Sequence, residues 1–203
     1  MLFLTNVISL SVVLPGGYGF SRFKFRGKRG ALYSYFILTQ MMGGMAIIGL
    51  IGIYILLAHL GLLNSLFILS LIYAASTVPF TTWYFKANLD GLSKEFDEAA
   101  IMDGASFWRS LWHVILPLAK PAIFTVIIFT SIGTWGEWVI GGVILSSGNY
   151  TVPVGMALLT TGWSTPWNRF AAMSIIYMLP LLILFIIAHR YLKVGLTLGG
   201  IKG

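Results

Sequence analysis

The sequence contains no cysteine and few charged residues. Without cysteine, the chain has no disulfide, no thiolate nucleophile and no cysteine-based metal site. Its three histidines, His59, His113 and His189, are far apart, and none has a histidine three or four residues away, so we expect no metal site. Charged residues make up 9% of the 203 residues, whereas about 25% is usual in a soluble domain.

Hydrophobic residues, in contrast, make up 58% of the chain. So little charge cannot cover that much apolar surface in water. An apolar run of about 20 residues is long enough to cross a bilayer as a helix. The composition therefore predicts an all-α membrane protein, a multi-span helical bundle.

The apolar stretches predict about five membrane spans in a single transmembrane domain, 1–203. No Asp, Glu, Lys or Arg occurs from Ala31 to Phe85, a run too long for one span. It must fold back, and the Gly, Asn and Ser of HLGLLNS at 59–65 are typical of a turn. Residues 146–169, rich in Gly, Ser, Thr and Pro, form an outer loop. The predicted spans are 1–20, 33–57, 65–84, 118–145 and 170–189.

Basic residues indicate the orientation. Segments 21–30, 86–120 and 190–203 hold five, four and three of them, which is 12 of 13. The positive-inside rule places these segments and the C-terminus in the cytoplasm. This distribution also argues against nucleic acid as the reason for the net charge of +7. The N-terminus then lies outside without a signal peptide, so we expect a further helix upstream of Met1.

Five of the six acidic residues lie between Asp90 and Asp103, around the segment SKEFDEAAIMDGAS at 93–106. Ser93 is a good N-cap for a short helix, and its acids fall in the first turns, where the helix dipole favours anions. Gly104 stands where a C′ glycine belongs, so we expect a positive φ there.

A second helix is predicted to follow at 107–116, capped by Ser106. It carries an apolar stripe of Phe107, Trp108, Leu111, Trp112 and Ile115. The loop 86–117 would then be a short soluble helix, a sharp glycine turn and an amphipathic helix on the membrane surface. Such an element is suited to docking in a groove of a partner. The alternative is a solvated loop with one interfacial helix.

The segment EAAIMDGASFWRSLWHVILP at 98–117 resembles the EAA loop of ABC importer permeases, whose pattern is E-A-A-x3-G-x9-I-x-L-P. Val114 replaces the Ile of that pattern. The segments GGYGFSRFKFRGKRG, NYTVPVGM and GLTLGGIKG resemble the MalG-like permeases of maltose and maltodextrin importers. Those have six spans, and the first span here corresponds to their second, which implies an N-terminal truncation. The matching EAA positions are Glu98, Ala99, Ala100, Gly104, Leu116 and Pro117.

The resemblance implies the transmembrane domain of a type I ABC importer, with the EAA loop as its coupling helix. This permease subunit of a maltose/maltodextrin-type importer would take sugar from an extracytoplasmic binding protein and import it by alternating access. Its other partners would be a MalF-like second permease and ATP-binding cassette ATPase subunits, in a prokaryotic cytoplasmic (inner) membrane. The implied ATPase-docking residues are Glu98, Ala99, Ala100, Asp103, Gly104, Leu116 and Pro117.

No enzymatic activity is expected of the chain itself. The signature G-x4-G-K-[ST] occurs nowhere in it, so it should bind no nucleotide or other cofactor directly. The resemblance implies that ATP and Mg²⁺ are held by the partner ATPase subunits.

Glu137 is the one acidic residue outside the cluster. It lies about 28 Å along the helix from Leu118, near the outer edge of the membrane core. Glu137 is either an interfacial acid or a contact at the outer mouth with sugar or binding protein. The resemblance assigns Asn149, Tyr150 and Thr151 to binding-protein contact, and the alternative is a simple connector.

Thr39 and Gln40, within the second predicted span, are more typical of hydrogen bonding between helices than of substrate contact. The resemblance implies that the principal sugar site lies mainly in the other permease subunit, so we assign no substrate residues.

Several alternatives stay open. Another solute class, such as a different sugar, glycerol phosphate or a polyamine, is the first. An ion-coupled transporter would need ionisable residues in the middle of its spans. A membrane scaffold has no need for the EAA spacing, and a membrane enzyme would need a catalytic cluster.

Overall fold

The computed structural model describes residues 1–28, 30–31, 34–35, 37, 46–160 and 164–199, with the backbone alone for 46–48 and 188–199. Over these residues the structure contains helices and no strand, which confirms the all-α prediction. The helices are α1 (Leu2–Arg22), α2 (Ala46–His59), α3 (Leu66–Asp90), α4 (Glu95–Met102), α5 (Phe107–Leu118), α6 (Lys120–Trp135), α7 (Val139–Ile144), α8 (Val152–Leu159) and α9 (Trp167–Gly199).

Three described helical segments are long and apolar enough to cross a membrane: α1, α3 and Trp167–Ile187 of α9. They overlap the spans predicted at 1–20, 65–84 and 170–189. Helices α5 and α6 form a bent pair that passes the same test together, and Gly49–His59 is a shorter apolar helix. The predicted count of five spans stays a prediction. Thr39 and Gln40 lie outside the described residues.

The stretch predicted as a single span at 118–145 is interrupted. Helix α6 ends at Trp135, and α7 begins only at Val139. At its other end, α6 meets α5 at an angle of 84°, with Ala119 between them. Pro121 explains this bend, because it has no N–H to donate and its ring collides with the carbonyl four residues earlier.

An apolar core joins α1, α3, α5 and α6. Gly17 allows α1 and α3 to approach closely, because a Cβ there would lie 2.6 Å from the ring of Phe85. Leu111 and Ile115 of α5 are fully buried in this core. The buried members are Val13, Leu14, Tyr18, Val78, Phe85, Leu89, Leu111, Ile115, Leu116, Ala119, Ala122 and Val126.

The single apolar stripe predicted for 107–116 is therefore divided between two faces. Leu111 and Ile115 pack inside the protein, whereas Trp108 and Trp112 are more than half exposed. Each pair is spaced by four residues, so each forms its own row along the helix. A π-helical stretch, Leu111–Ile115, lies where the inner row enters the core.

Candidate functional site

Helix α4 begins at Glu95 and has Lys94 as its N-cap residue, one position later than predicted. Ser93 still takes part, because its Oγ accepts a hydrogen bond from the N–H of Glu95 at 3.3 Å. Glu95, Asp97 and Glu98 occupy the first turn, where the unpaired N–H groups favour negative charge.

Gly104 ends α4 with a φ of +75°, which confirms the predicted left-handed turn. The N–H of Gly104 donates to the carbonyl of Ile101, and the N–H of Ala105 donates to that of Ala100, both at 2.9 Å. These two bonds define a Schellman motif. Ser106 then caps α5 as predicted, its Oγ accepting from the N–H of Arg109 at 3.4 Å.

The outward side of α4 and its turn combines acids with apolar tips. Of the predicted docking residues, Ala100 and Leu116 are only 5% and 7% exposed and pack within the chain itself. Ile101 and Met102, which the EAA pattern does not specify, are 65% and 87% exposed. Their spacing of three and four residues from Glu98 indicates a shared face. The exposed predicted residues are Glu98, Ala99, Asp103, Gly104 and Pro117.

Asp97 lies on the inward side of α4 and is buried. Its Oδ1 accepts a hydrogen bond from the Tyr18 hydroxyl at 2.7 Å, and its Oδ2 lies 2.8 Å from Nε of Arg22. Tyr18 Oη and Ser110 Oγ are 3.4 Å apart. Because the one hydroxyl proton of Tyr18 goes to Asp97, Ser110 is the donor of that bond. The sequence contains no local signal that separates Asp97 from Glu95 and Glu98.

Two further contacts bring the end of α1 against the end of α3. Nη2 of Arg22 donates to the carbonyl of Leu92 at 3.2 Å. Ser21 Oγ donates to Asp90 Oδ1 at 2.7 Å, and Lys86 pairs with Oδ2 of the same carboxylate at 2.5 Å. The last turns of α1 and α3 therefore meet the start of the α4 segment through hydrogen bonds as well as apolar packing.

Glu137 stands at the break between α6 and α7. Its Oε1 accepts from the N–H of Ile140 at 2.8 Å, and its Oε2 accepts from the N–H of Gly141 at 3.3 Å. The Tyr73 hydroxyl of α3 donates to the same Oε2 at 2.5 Å. The carboxylate thus caps the first turn of α7 and ties it to α3. Contact with a binding protein stays a prediction for this residue.

The loop that follows α7 is tied to the turn between α2 and α3. Asn64 adopts a φ of +59°, and its Oδ1 accepts from the N–H of Ser146 at 3.1 Å. Asn149 Nδ2 lies 3.1 Å from both the backbone oxygen and Oδ1 of Asn64. Tyr150 is exposed, whereas Thr151 is partly buried at the start of α8. Of the three predicted contact residues, Asn149 therefore also has a role within the chain.

Residues 13–196 match the family described as the inner membrane component of binding-protein-dependent transport systems. The chain belongs to this family. The galactooligosaccharides transport system permease protein GanQ of Bacillus subtilis (strain 168) is 35% identical over 197 residues, covering 96% of this chain and 69% of GanQ. The maltose/maltodextrin permease MalG of Vibrio vulnificus (strain YJ016) is 32% identical over 207 residues, covering 98% of this chain and 69% of MalG.

A solved structure has the same fold as this inner membrane component. It is the crystal structure of a bacterial ABC transporter involved in the import of the acidic polysaccharide alginate, with a TM-score of 0.75. At 23% identity, the match covers 94% of this chain and 71% of that one. The family match over residues 13–196 and the identity to GanQ and MalG confirm the predicted family, the ABC importer permeases of the binding-protein-dependent type. The chain is a multi-pass inner membrane protein that spans about seven tenths of these relatives.

Proposed function

We propose that this inner membrane component is the permease subunit of an ATP-driven carbohydrate importer. It would receive sugar from an extracytoplasmic binding protein and release it into the cytoplasm by alternating access. The observation that carries the proposal is the exposed unit of α4 and Gly104, a short helix and a left-handed turn beside a set of apolar helices. The names of GanQ and MalG support the carbohydrate class.

In this proposal the exposed side of α4 docks in a groove of an ATPase subunit. Ile101 and Met102 supply apolar contacts, and Glu98 and Asp103 supply negative charge at the rim. The positive-inside distribution supports a cytoplasmic position for this unit and for the C-terminus, on the side where ATP is available. ATP and Mg²⁺ would be held by the ATPase subunits, so the energy of hydrolysis reaches this chain through the docking contact.

The second permease half would be a MalF-like subunit, and the two halves would enclose the sugar path between them. The outer segments that face the binding protein would be the loop beginning at Asn149, Tyr150 and Thr151, together with the α7 start at Glu137. Tyr150 is the exposed residue of this set. It offers an aromatic face and a hydroxyl, which suits an interface with a soluble partner.

Maltodextrin is the proposed sugar class, because NYTVPVGM and GLTLGGIKG resemble the maltodextrin permeases and MalG is 32% identical. Galacto-oligosaccharides are the second candidate, favoured by the 35% identity to GanQ. Both are neutral oligosaccharides of hexoses, so the same permease architecture suits either.

The test is to isolate the tagged chain from its native membranes in mild detergent and to identify the proteins that accompany it. We expect an ATPase, a second permease and a sugar-binding protein. Binding of maltotriose and galactotriose to that binding protein then decides the sugar class. The variant Gly104→Val tests the docking surface and should lose the ATPase selectively. Recovery of the wild-type chain with no ATPase would contradict the proposal.

A further inference from the structure

Helix α4 has little apolar attachment to the rest of the described protein. Asp97 and Ala100 are its only buried side chains, whereas Phe96, Ile101 and Met102 are exposed. A single methyl group buries little apolar area. The side-chain attachment of α4 therefore depends mainly on the carboxylate of Asp97.

The backbone on the C-terminal side of α4 is a poor route for a rigid movement. It passes first through the turn at Gly104 and then, after α5, through the 84° bend at Ala119. Turns and helix ends are the places where φ and ψ changes absorb displacement. A displacement of α4 transmitted along the backbone would therefore be absorbed in part by rotation at Gly104 and at Ala119.

Asp97 instead connects α4 directly to the last turns of α1. Tyr18 and Arg22 are four residues apart on one face of α1, and both contact the same carboxylate. At its other end, α1 is bonded to α6, because Asn6 Nδ2 donates to Ser131 Oγ at 3.0 Å. A movement of α4 passed to α1 would thus reach the membrane-spanning part of the chain.

We infer that Asp97, held by Arg22 and Tyr18, is a positioning residue that makes α4 and the adjoining end of α1 move as one body during transport. The inference rests on the proposed function, in which an ATPase moves α4. It assigns the transmission to one buried ion pair and its hydrogen bonds rather than to the backbone around Gly104 alone.

Burial makes this contact suitable for transmitting movement. The side chains of Arg22 and Asp97 are only 7% and 11% exposed, and the ring of Phe107 packs 5.2 Å from that of Tyr18. A buried charge left without its partner is strongly unfavourable, so the pair resists separation. An exposed ion pair separates at small cost. Lys86 and Asp90 form a more exposed pair on α3, with side chains 24% and 43% exposed, and this provides a control.

The experiment uses the complete complex, purified from native membranes and reconstituted in liposomes with its binding protein. Uptake and ATP hydrolysis are measured together with maltotriose and with galactotriose. We expect Asp97→Asn to reduce uptake per ATP hydrolysed by about tenfold, within the range usual for coupling between sites. Lys86→Met should leave this ratio unchanged, and both variants should reach the membrane in wild-type amounts.

The double variant Arg22→Met/Asp97→Asn separates a transmitting role from a merely structural one. It leaves no unpaired charge, so assembly should match that of the wild type. We expect its uptake per ATP to stay as low as that of Asp97→Asn. If the Asp97→Asn complex does not assemble, uptake per ATP hydrolysed by the double variant alone tests the inference.

A wild-type ratio in the assembled double variant would overturn the inference and leave the proposed function intact. A wild-type complex without sugar-stimulated ATP hydrolysis would overturn the proposed function, and this inference with it. The two failures are therefore distinguishable in one set of measurements.

Discussion

Tyr73 and Glu137 are joined by a hydrogen bond of 2.5 Å, although 64 residues separate them in sequence. The bond connects α3 to the break between α6 and α7. The same carboxylate also accepts the N–H groups of Ile140 and Gly141. Glu137, for which the sequence left open an interfacial position or a contact at the outer mouth, thus stabilises the break between α6 and α7.

Replacing Glu137 with Ala should destabilise the protein, because two N–H groups and the Tyr73 hydroxyl lose their acceptor. A buried donor without a partner costs about 1–3 kcal/mol. Tyr73→Phe removes one donor and should cost less, about 1 kcal/mol. Thermal unfolding of the purified complex in detergent measures both. Equal unfolding temperatures for wild type and Glu137→Ala would show that the cap is unimportant.

Gly104→Val and Gly104→Asp should leave the chain in the membrane but uncouple transport. A side chain at a φ of +75° costs about 1 kcal/mol or more. It would also project into space that is open within 4 Å in the described chain. Gly91→Ala is the matched control, since Gly91 has a φ of −78° that other residues adopt. Normal sugar uptake by the Gly104 variants would contradict the docking proposal.

Replacing Ala99 or Ala100 with the larger Leu should cause two different defects. Ala99 is exposed on the predicted docking side, so Ala99→Leu should reduce recovery of the ATPase without affecting unfolding. Ala100 is buried, so Ala100→Leu should destabilise the chain by about 1–3 kcal/mol through overpacking. Co-purification and thermal unfolding of the same samples separate the two effects. The same defect in both variants would mean that the two faces of α4 are not distinct.

Asn64 should be replaceable by Gly more easily than by Ala. Both variants lose the amide that bonds Ser146 and Asn149, but Ala additionally has to adopt a φ near +59°. That extra strain is about 1 kcal/mol. Hydrogen exchange of residues 144–150 should be fastest in Asn64→Ala, intermediate in Asn64→Gly and slowest in wild type. The reverse order of the two variants would exclude backbone strain as the reason for Asn64.

Features that depend on composition, on motif spacing or on residues adjacent in the chain were predictable from the sequence. The low charge content predicted a membrane bundle, and the EAA spacing predicted the family. The left-handed turn at Gly104 and the cap at Ser106 follow from chemistry within a few residues. These predictions succeeded because glycine at a helix end and serine at a helix start act on the backbone beside them.

The tertiary structure decided which of several similar residues has which role. The neighbouring sequence does not distinguish Glu95, Asp97 and Glu98, because all three are acids in the first turn of α4. Only the position of α1 places Tyr18 and Arg22 beside Asp97 and leaves the other two acids exposed. These contacts join residues 79 and 75 positions apart. The sequence pattern determined that α4 would form, but its partners depend on how separate helices pack, which no periodicity encodes.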